Sequence, residues 1–245
     1  TECDLSATTA LIDFGTASVL AGASLTLTPA QADGLALTGD GDLIVSGPVD
    51  ADYDLSQIET ALTLLDVSIA DGAVLTLTAA QAHGQTADGV GSVLISGTLD
   101  TDCDLSGFST PISFESDAPL IEAGFNLTLT ASQAHGQAFT GDGSVTLLGN
   151  IDTECDLSAI TAALSFEGDA VSVDDGVTLT LTAAQAHGLA ITADGTEGSG
   201  VLAITGDIDT ECDLSATTAL IDFGTASILA GASLTLTPAQ ADGLA

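Results

Sequence analysis

Lysine and arginine are absent from this chain, and so are methionine and tryptophan. Each absence removes a class of function. Without lysine or arginine a protein cannot neutralise phosphates, which excludes nucleic acid as a partner. The same lack excludes docking on an anionic membrane surface. No apolar run approaches the roughly 20 residues of a membrane span, so no membrane insertion is expected. Aromatic residues make up only 3% of the chain, so any core must be built from small aliphatic pieces. Trypsin has no site at which to cut.

Carboxylates are what is present. Thirty-five Asp and Glu face only three His among 245 residues, a formal charge of −35. Yet 45% of the residues are hydrophobic. Disordered acidic tails lack apolar residues, so this chain is expected to fold. Its carboxylates must be solvated, spaced apart or neutralised by bound cations, because salt-bridge partners are missing.

Self-similarity sets the architecture. Asp-Leu-Ser begins at Asp4, Asp54, Asp104, Asp156 and Asp213. Thr-x-x-Gln-Ala-[Asp/His]-Gly begins at Thr28, Thr78, Thr130, Thr182 and Thr237. The repeats run approximately over 1–50, 51–100, 101–152, 153–209 and 210–245. The fourth is lengthened by Thr196-Glu197-Gly198-Ser199-Gly200, which reads as a loop. Residues 210–245 copy residues 1–36 except that Val19 becomes Ile228. The expectation is a recently duplicated four-repeat block cut from a longer array.

Short apolar runs separated by Gly, Asp, Ser and Pro read as strands joined by turns. In Leu25-Thr26-Leu27-Thr28 the leucines share one face and the threonines the other. Six such runs per repeat predict an all-β, parallel β-solenoid. About two coils per repeat are expected, at roughly 25 residues each, continuous over 1–245. The Thr-x-x-Gln element predicts a helical corner: Thr28 as N-cap, Pro29 at the first helical position, Gln31 closing a capping box and Gly34 ending the turn.

The Leu-Thr-Leu-Thr-[Ala/Pro]-[Ala/Ser]-Gln-Ala-x-Gly segments and the Asp-Leu-Ser starts resemble the giant, acidic, repeat-built surface proteins and adhesins of bacteria. That resemblance implies an extracellular, cell-surface location and a structural or adhesive role. It carries over no functional residue.

The candidate metal ligands are the alternating carboxylates before each Leu-Ser. They are Asp50, Asp52 and Asp54; Asp100, Asp102 and Asp104; Asp152, Glu154 and Asp156; and Asp209, Glu211 and Asp213. On an extended chain the members of a set point one way. With no lysine or arginine to separate them they suit a hard cation with oxygen ligands, Ca²⁺ before Mg²⁺. The competing reading is a solvated acidic edge that discourages strand pairing between molecules. Gly39-Asp40-Gly41-Asp42 lacks the spacing of a calcium-binding nonapeptide and reads as a turn.

Cys3, Cys103, Cys155 and Cys212 share one repeat position, filled once by Tyr53. They are candidate cross-links between chains or buried free thiols. Two coils per repeat would put neighbours ~9–10 Å apart, beyond disulfide reach. His83, His135 and His187 share a position held by Asp33 and Asp242 in the other repeats. A position that takes either residue is expected to be exposed, and a histidine metal ladder is the alternative.

Catalysis needs a unique, asymmetric pocket, and almost every Ser, His and Asp here recurs by repeat. The chain therefore reads as no enzyme. The expected function is an extracellular structural rod or filament that associates with itself. The alternatives are an adhesion module with a cell-surface partner and a calcium-loading repeat protein.

Overall fold

The structure is a computed structural model that describes residues 1–8, 17–168, 170–194 and 200–242. The lengthening loop of the fourth repeat lies almost wholly outside the described residues, as does the Leu11-Ile12 run. The chain divides into two compact units, 1–127 and 128–245. Each is a parallel β-solenoid, as the periodicity predicts.

In the first unit the strand Glu2–Asp4 pairs in parallel with Ser24–Leu27, which pairs with Asp42–Val49, which pairs with Ala61–Ile69. Cys3 sits against Leu25, Leu25 against Leu43 and Leu43 against Leu62. A second sheet repeats the pattern with the same spacing. Tyr53 pairs with Leu75, Leu75 with Val93 and Val93 with Ile112. In the second unit Cys155, Leu179, Leu202 and Ile221 form a third such ladder.

One coil is therefore shorter than the expected length of roughly 25 residues. The bonds between neighbouring coils show the same thing. The Thr60 hydroxyl reaches back 19 residues to Gly41, and the Ser113 hydroxyl reaches back 20 residues to Val93. A repeat consequently takes two coils and about half of a third. The half coil has a consequence that the sequence hides. Equivalent residues of adjacent repeats fall in different sheets: Cys3 and Tyr53 in the first unit, Cys155 and Cys212 in the second.

The core is the inward face of these ladders. Strand Val74–Thr78 alternates half-exposed and buried residues, with Leu75 and Leu77 inside and Thr76 and Thr78 outside. Leu25, Leu43 and Leu62 stack inside, as do Leu27, Val45 and Leu64. Such parallel stacks remove apolar surface from water at about 25 cal/mol per Å². Small residues complete the fill: Ala32, Ala82, Ala134 and Ala186 of the helical corners are fully buried. Scarcity of aromatics follows from the narrow interior; Phe139 is the largest side chain among the fully buried residues.

Gly39-Asp40-Gly41-Asp42 is a turn, as its spacing suggests. A Cβ on Gly41 would strike the carbonyls of Leu20 and Ala23, and Gly91 is closed in the same way by Ala70 and Ala73. These glycines let adjacent coils approach. The buried hydroxyls of Thr60 and Thr110 donate to the carbonyls of Gly41 and Gly91.

Candidate functional site

Side-chain chemistry concentrates where each helical corner meets the Asp-Leu-Ser segments. The corner forms locally. Thr28 is extended at φ −79°, ψ 160°, and its hydroxyl accepts the Gln31 N–H at 3.3 Å. The Gln31 carboxamide oxygen accepts the Thr28 N–H at 2.8 Å. Both halves of this capping box recur at Thr78/Gln81, Thr130/Gln133 and Thr182/Gln185. Gly34 leaves the turn at φ +63°, where a side chain would be strained.

The glutamine does a second task that the motif does not announce. Its amide nitrogen donates to two carbonyls of the preceding Asp-Leu-Ser turn. Gln81 reaches Leu55 at 2.7 Å and Ile58 at 2.8 Å. Gln31 reaches Leu5 and Thr8, Gln185 reaches Leu157 and Ile160, and Gln240 reaches Leu214 and Thr217. A single amide thus satisfies one backbone donor and two acceptors, and Gln81 is only 8% exposed.

The third carboxylate of each acidic set shapes the turn itself. Asp104 accepts the Ser106 N–H at 3.0 Å and the Ser106 hydroxyl at 2.6 Å. Asp4 and Asp156 make the same pair of bonds to Ser6 and Ser158. Asp54 and Asp213 accept the N–H of Ser56 and Ser215. These bonds favour the ionised form and hold the Asp4 and Asp213 carboxyls below the ordinary value of 3.8. The intervening leucine points inward, and Leu55, Leu105, Leu157 and Leu214 are fully buried.

Each corner then joins the next Asp-Leu-Ser segment. Gly34 donates its N–H to the Asp54 carbonyl at 2.8 Å, while the Asp54 N–H donates to the Asp33 carboxylate at 2.8 Å. Where histidine replaces Asp33, the acceptor is Nδ1. The N–H groups of Asp104, Asp156 and Asp213 donate at 3.1 Å to His83, His135 and His187. This explains why Asp and His interchange. Each presents an acceptor of similar reach, and the imidazole does so only with Nδ1 unprotonated.

The remaining candidate ligands are spread among other partners. Asp52 accepts the Val74 N–H at 3.0 Å and Asp102 the Asn126 N–H at 2.9 Å, so these carboxylates close the start of the next strand. Asp50 accepts the Tyr53 hydroxyl at 2.6 Å. That bond, with burial and the charges of Asp50 and Asp33, pushes the phenol up to about 12. Asp50, Asp100, Asp152, Asp209, Glu154 and Glu211 are exposed. Among the described residues, no three His, Cys, Asp or Glu side chains are gathered as a metal cluster.

All four cysteines are free thiols. Cys103, Cys155 and Cys212 are buried, and the thiols of Cys103 and Cys155 donate to the Ala79 and Ala131 carbonyls. Burial, reinforced by Asp104 and Asp156, pushes both thiols up to about 12. Burial and Asp213 raise Cys212 as well. Cys3 alone is exposed.

Two relationships escape sequence reasoning: the reach of Gln81 to Leu55 and the histidine-to-strand bond. Both link residues far apart in the chain, and the only signal was the recurrence of the two motifs in every repeat. Comparison with protein-family models, with curated proteins and with solved structures gave no match, so the geometry stands as its own guide.

Proposed function

We propose that this chain is an extracellular structural repeat protein whose coils serve as the material of a rod or filament, and that it is not an enzyme. One observation carries the reading. The polar side chains that recur most faithfully, the Gln, Asp/His and Asp-Leu-Ser positions, are engaged in holding one coil to the next. A scaffold needs identical joints along its length, whereas an active site needs one unlike the rest. The near-identity of residues 1–36 and 210–245 adds a longer repeat of the same material. A surface without lysine or arginine suits a place where proteases act and cations are plentiful.

Antibodies raised against the chain test this reading on intact, unpermeabilised cells of its source. Surface or filament decoration in electron micrographs is expected. Labelling confined to the cell interior overturns it.

Calcium has a place within the proposal. Asp50, Asp100, Asp152 and Asp209 are exposed, and no lysine or arginine is available to offset them. Bound Ca²⁺ would offset part of this unbalanced negative charge.

A further inference from the structure

Each helical corner is clasped on both sides. From corner Ala79–Ala82, Gln81 reaches back to the carbonyls of Leu55 and Ile58, 26 and 23 residues earlier. His83 and Gly84, at its end, reach forward to the N–H and carbonyl of Asp104. The corner is thus a staple that ties the coil before it to the coil after it. Corner Pro29–Ala32 is tied in the same way to Leu5 and Thr8 behind and to Asp54 ahead. Corner Ala183–Ala186 is tied to Leu157 and Ile160 behind and to Asp213 ahead.

The staples abut. The first runs from Leu5 to Asp54 and the next from Leu55 to Asp104, and Asp54 and Leu55 are neighbours in one Asp-Leu-Ser triad. Each such triad therefore ends one staple at its Asp and begins the next at its Leu. Elsewhere adjacent coils are joined mainly by parallel ladders, as between Val74–Thr78 and Ser92–Ser96 or between Thr178–Thr182 and Val201–Thr205. The two kinds of joint respond differently to load. Ladder bonds open one after another as a coil is peeled from its neighbour. The three bonds of the Gln81 carboxamide sit on one planar group and must give way together. Their site is nearly closed to water, so water cannot replace them in turn.

We propose that the stapled segment, from the Leu of one Asp-Leu-Ser triad to the Asp of the next, is the unit that opens under tension. The chain then lengthens by a whole repeat at a time instead of by a coil. Repeat proteins are held by contacts between neighbours, and their cooperative units follow the strongest of these contacts. A staple that yields releases the ladders it brackets, and the next intact staple stops the opening at the following triad. Each yielding repeat lengthens the rod and spares the rest. This rests on the structural reading above and adds the way such a rod bears load.

Force–extension traces of single intact chains, held in an optical trap by handles fused to both ends, read the unit directly. Steps of about 160–180 Å are expected, the extended length of roughly 50 residues. One coil, with its bonds reaching back 19 or 20 residues, would give steps of only about 65–70 Å. Gln81→Leu breaks one staple and should lower the force of one step while the others keep theirs. Steps of a single coil overturn the proposal, as does loss of the whole chain in one step. A Gln81→Leu chain whose step forces all match those of the parent overturns it too. The parent's step length needs no variant, so a folding defect in Gln81→Leu leaves the test intact. None of these results bears on the location of the protein, which the antibody experiment decides.

Discussion

The carboxamide of Gln81 donates to the carbonyl oxygen of Leu55, 26 residues earlier in the chain, at 2.7 Å. The same nitrogen donates to Ile58, and the carboxamide oxygen accepts from Thr78. Gln81→Leu strands two carbonyls and one N–H in a site that is nearly closed to water. A loss of about 2–4 kcal/mol is expected, since an orphaned buried polar group costs roughly 1–3 kcal/mol. Gln81→Glu keeps the oxygen that accepts from Thr78 but turns a second oxygen toward two carbonyls, and should be no milder. The urea midpoint of the chain measures both. Midpoints within error of the parent would refute the interlock.

The His83 position tests the acceptor argument. His83→Ala deprives the Asp104 N–H of its partner and should cost about 1 kcal/mol, the net value of one hydrogen bond. His83→Asp restores an acceptor of the kind seen at Asp33 and should recover most of that loss at neutral pH. The same urea titration compares the three proteins. Equal destabilisation by Ala and Asp would show that the imidazole acts by packing instead.

Thiol titration should separate one cysteine from three. Cys3 is expected to react promptly with a thiol reagent in the native protein. Cys103, Cys155 and Cys212 should react only after unfolding, because burial both shields them and disfavours the thiolate. The raised thiols also set an alkaline limit. A group whose folded pKa lies above its unfolded value stabilises fully below the unfolded value and loses that contribution as pH rises. Stability should therefore decline between about 9, the ordinary thiol value, and the folded value of about 12. Tyr53 works in the same sense from 10 to about 12. Cys103→Ala should flatten part of this decline in melts recorded against pH.

The acid side has the opposite sign. Asp4 and Asp213 are held below 3.8, so their contribution is present above that value and is lost as pH falls through the depressed folded pKa. Asp213→Asn keeps an oxygen for Ser215 but cannot ionise. The stability gap between parent and Asp213→Asn should be constant near neutrality and close below about pH 4. A gap that persists unchanged into stronger acid would rule out the carboxylate as its source.

Thermal unfolding followed by circular dichroism, with calcium and then with excess chelator at fixed ionic strength, tests the cation expectation. Calcium should raise the midpoint by mass action on the folded state. A midpoint that does not move would leave the carboxylates as a solvated coat.

The candidate site was partly legible in advance. Thr28, Gln31 and Gly34 announce their corner because a capping box closes within a single turn and depends on nothing distant. The inward leucines of Val74–Thr78 follow from strand alternation alone. The acidic sets do not announce their partners: Asp50, Asp52 and Asp54 reach Tyr53, Val74 and Ser56, with a bend at Ala51 between the first two and a turn following the third.

The sequence by itself determined the repeat, the alternation of strand faces, the helical corners and the parallel solenoid they build. Each of these rests on contacts between residues a few positions apart or on periodicity. Only the tertiary structure decided the length of a coil, because that is the sum of strand and corner lengths needed to bring the chain back into register. A coil that does not divide evenly into the repeat places Cys3 and Tyr53 in different sheets. It also brings Gln81 onto Leu55 and His83 onto Asp104, partners that no local pattern could have matched.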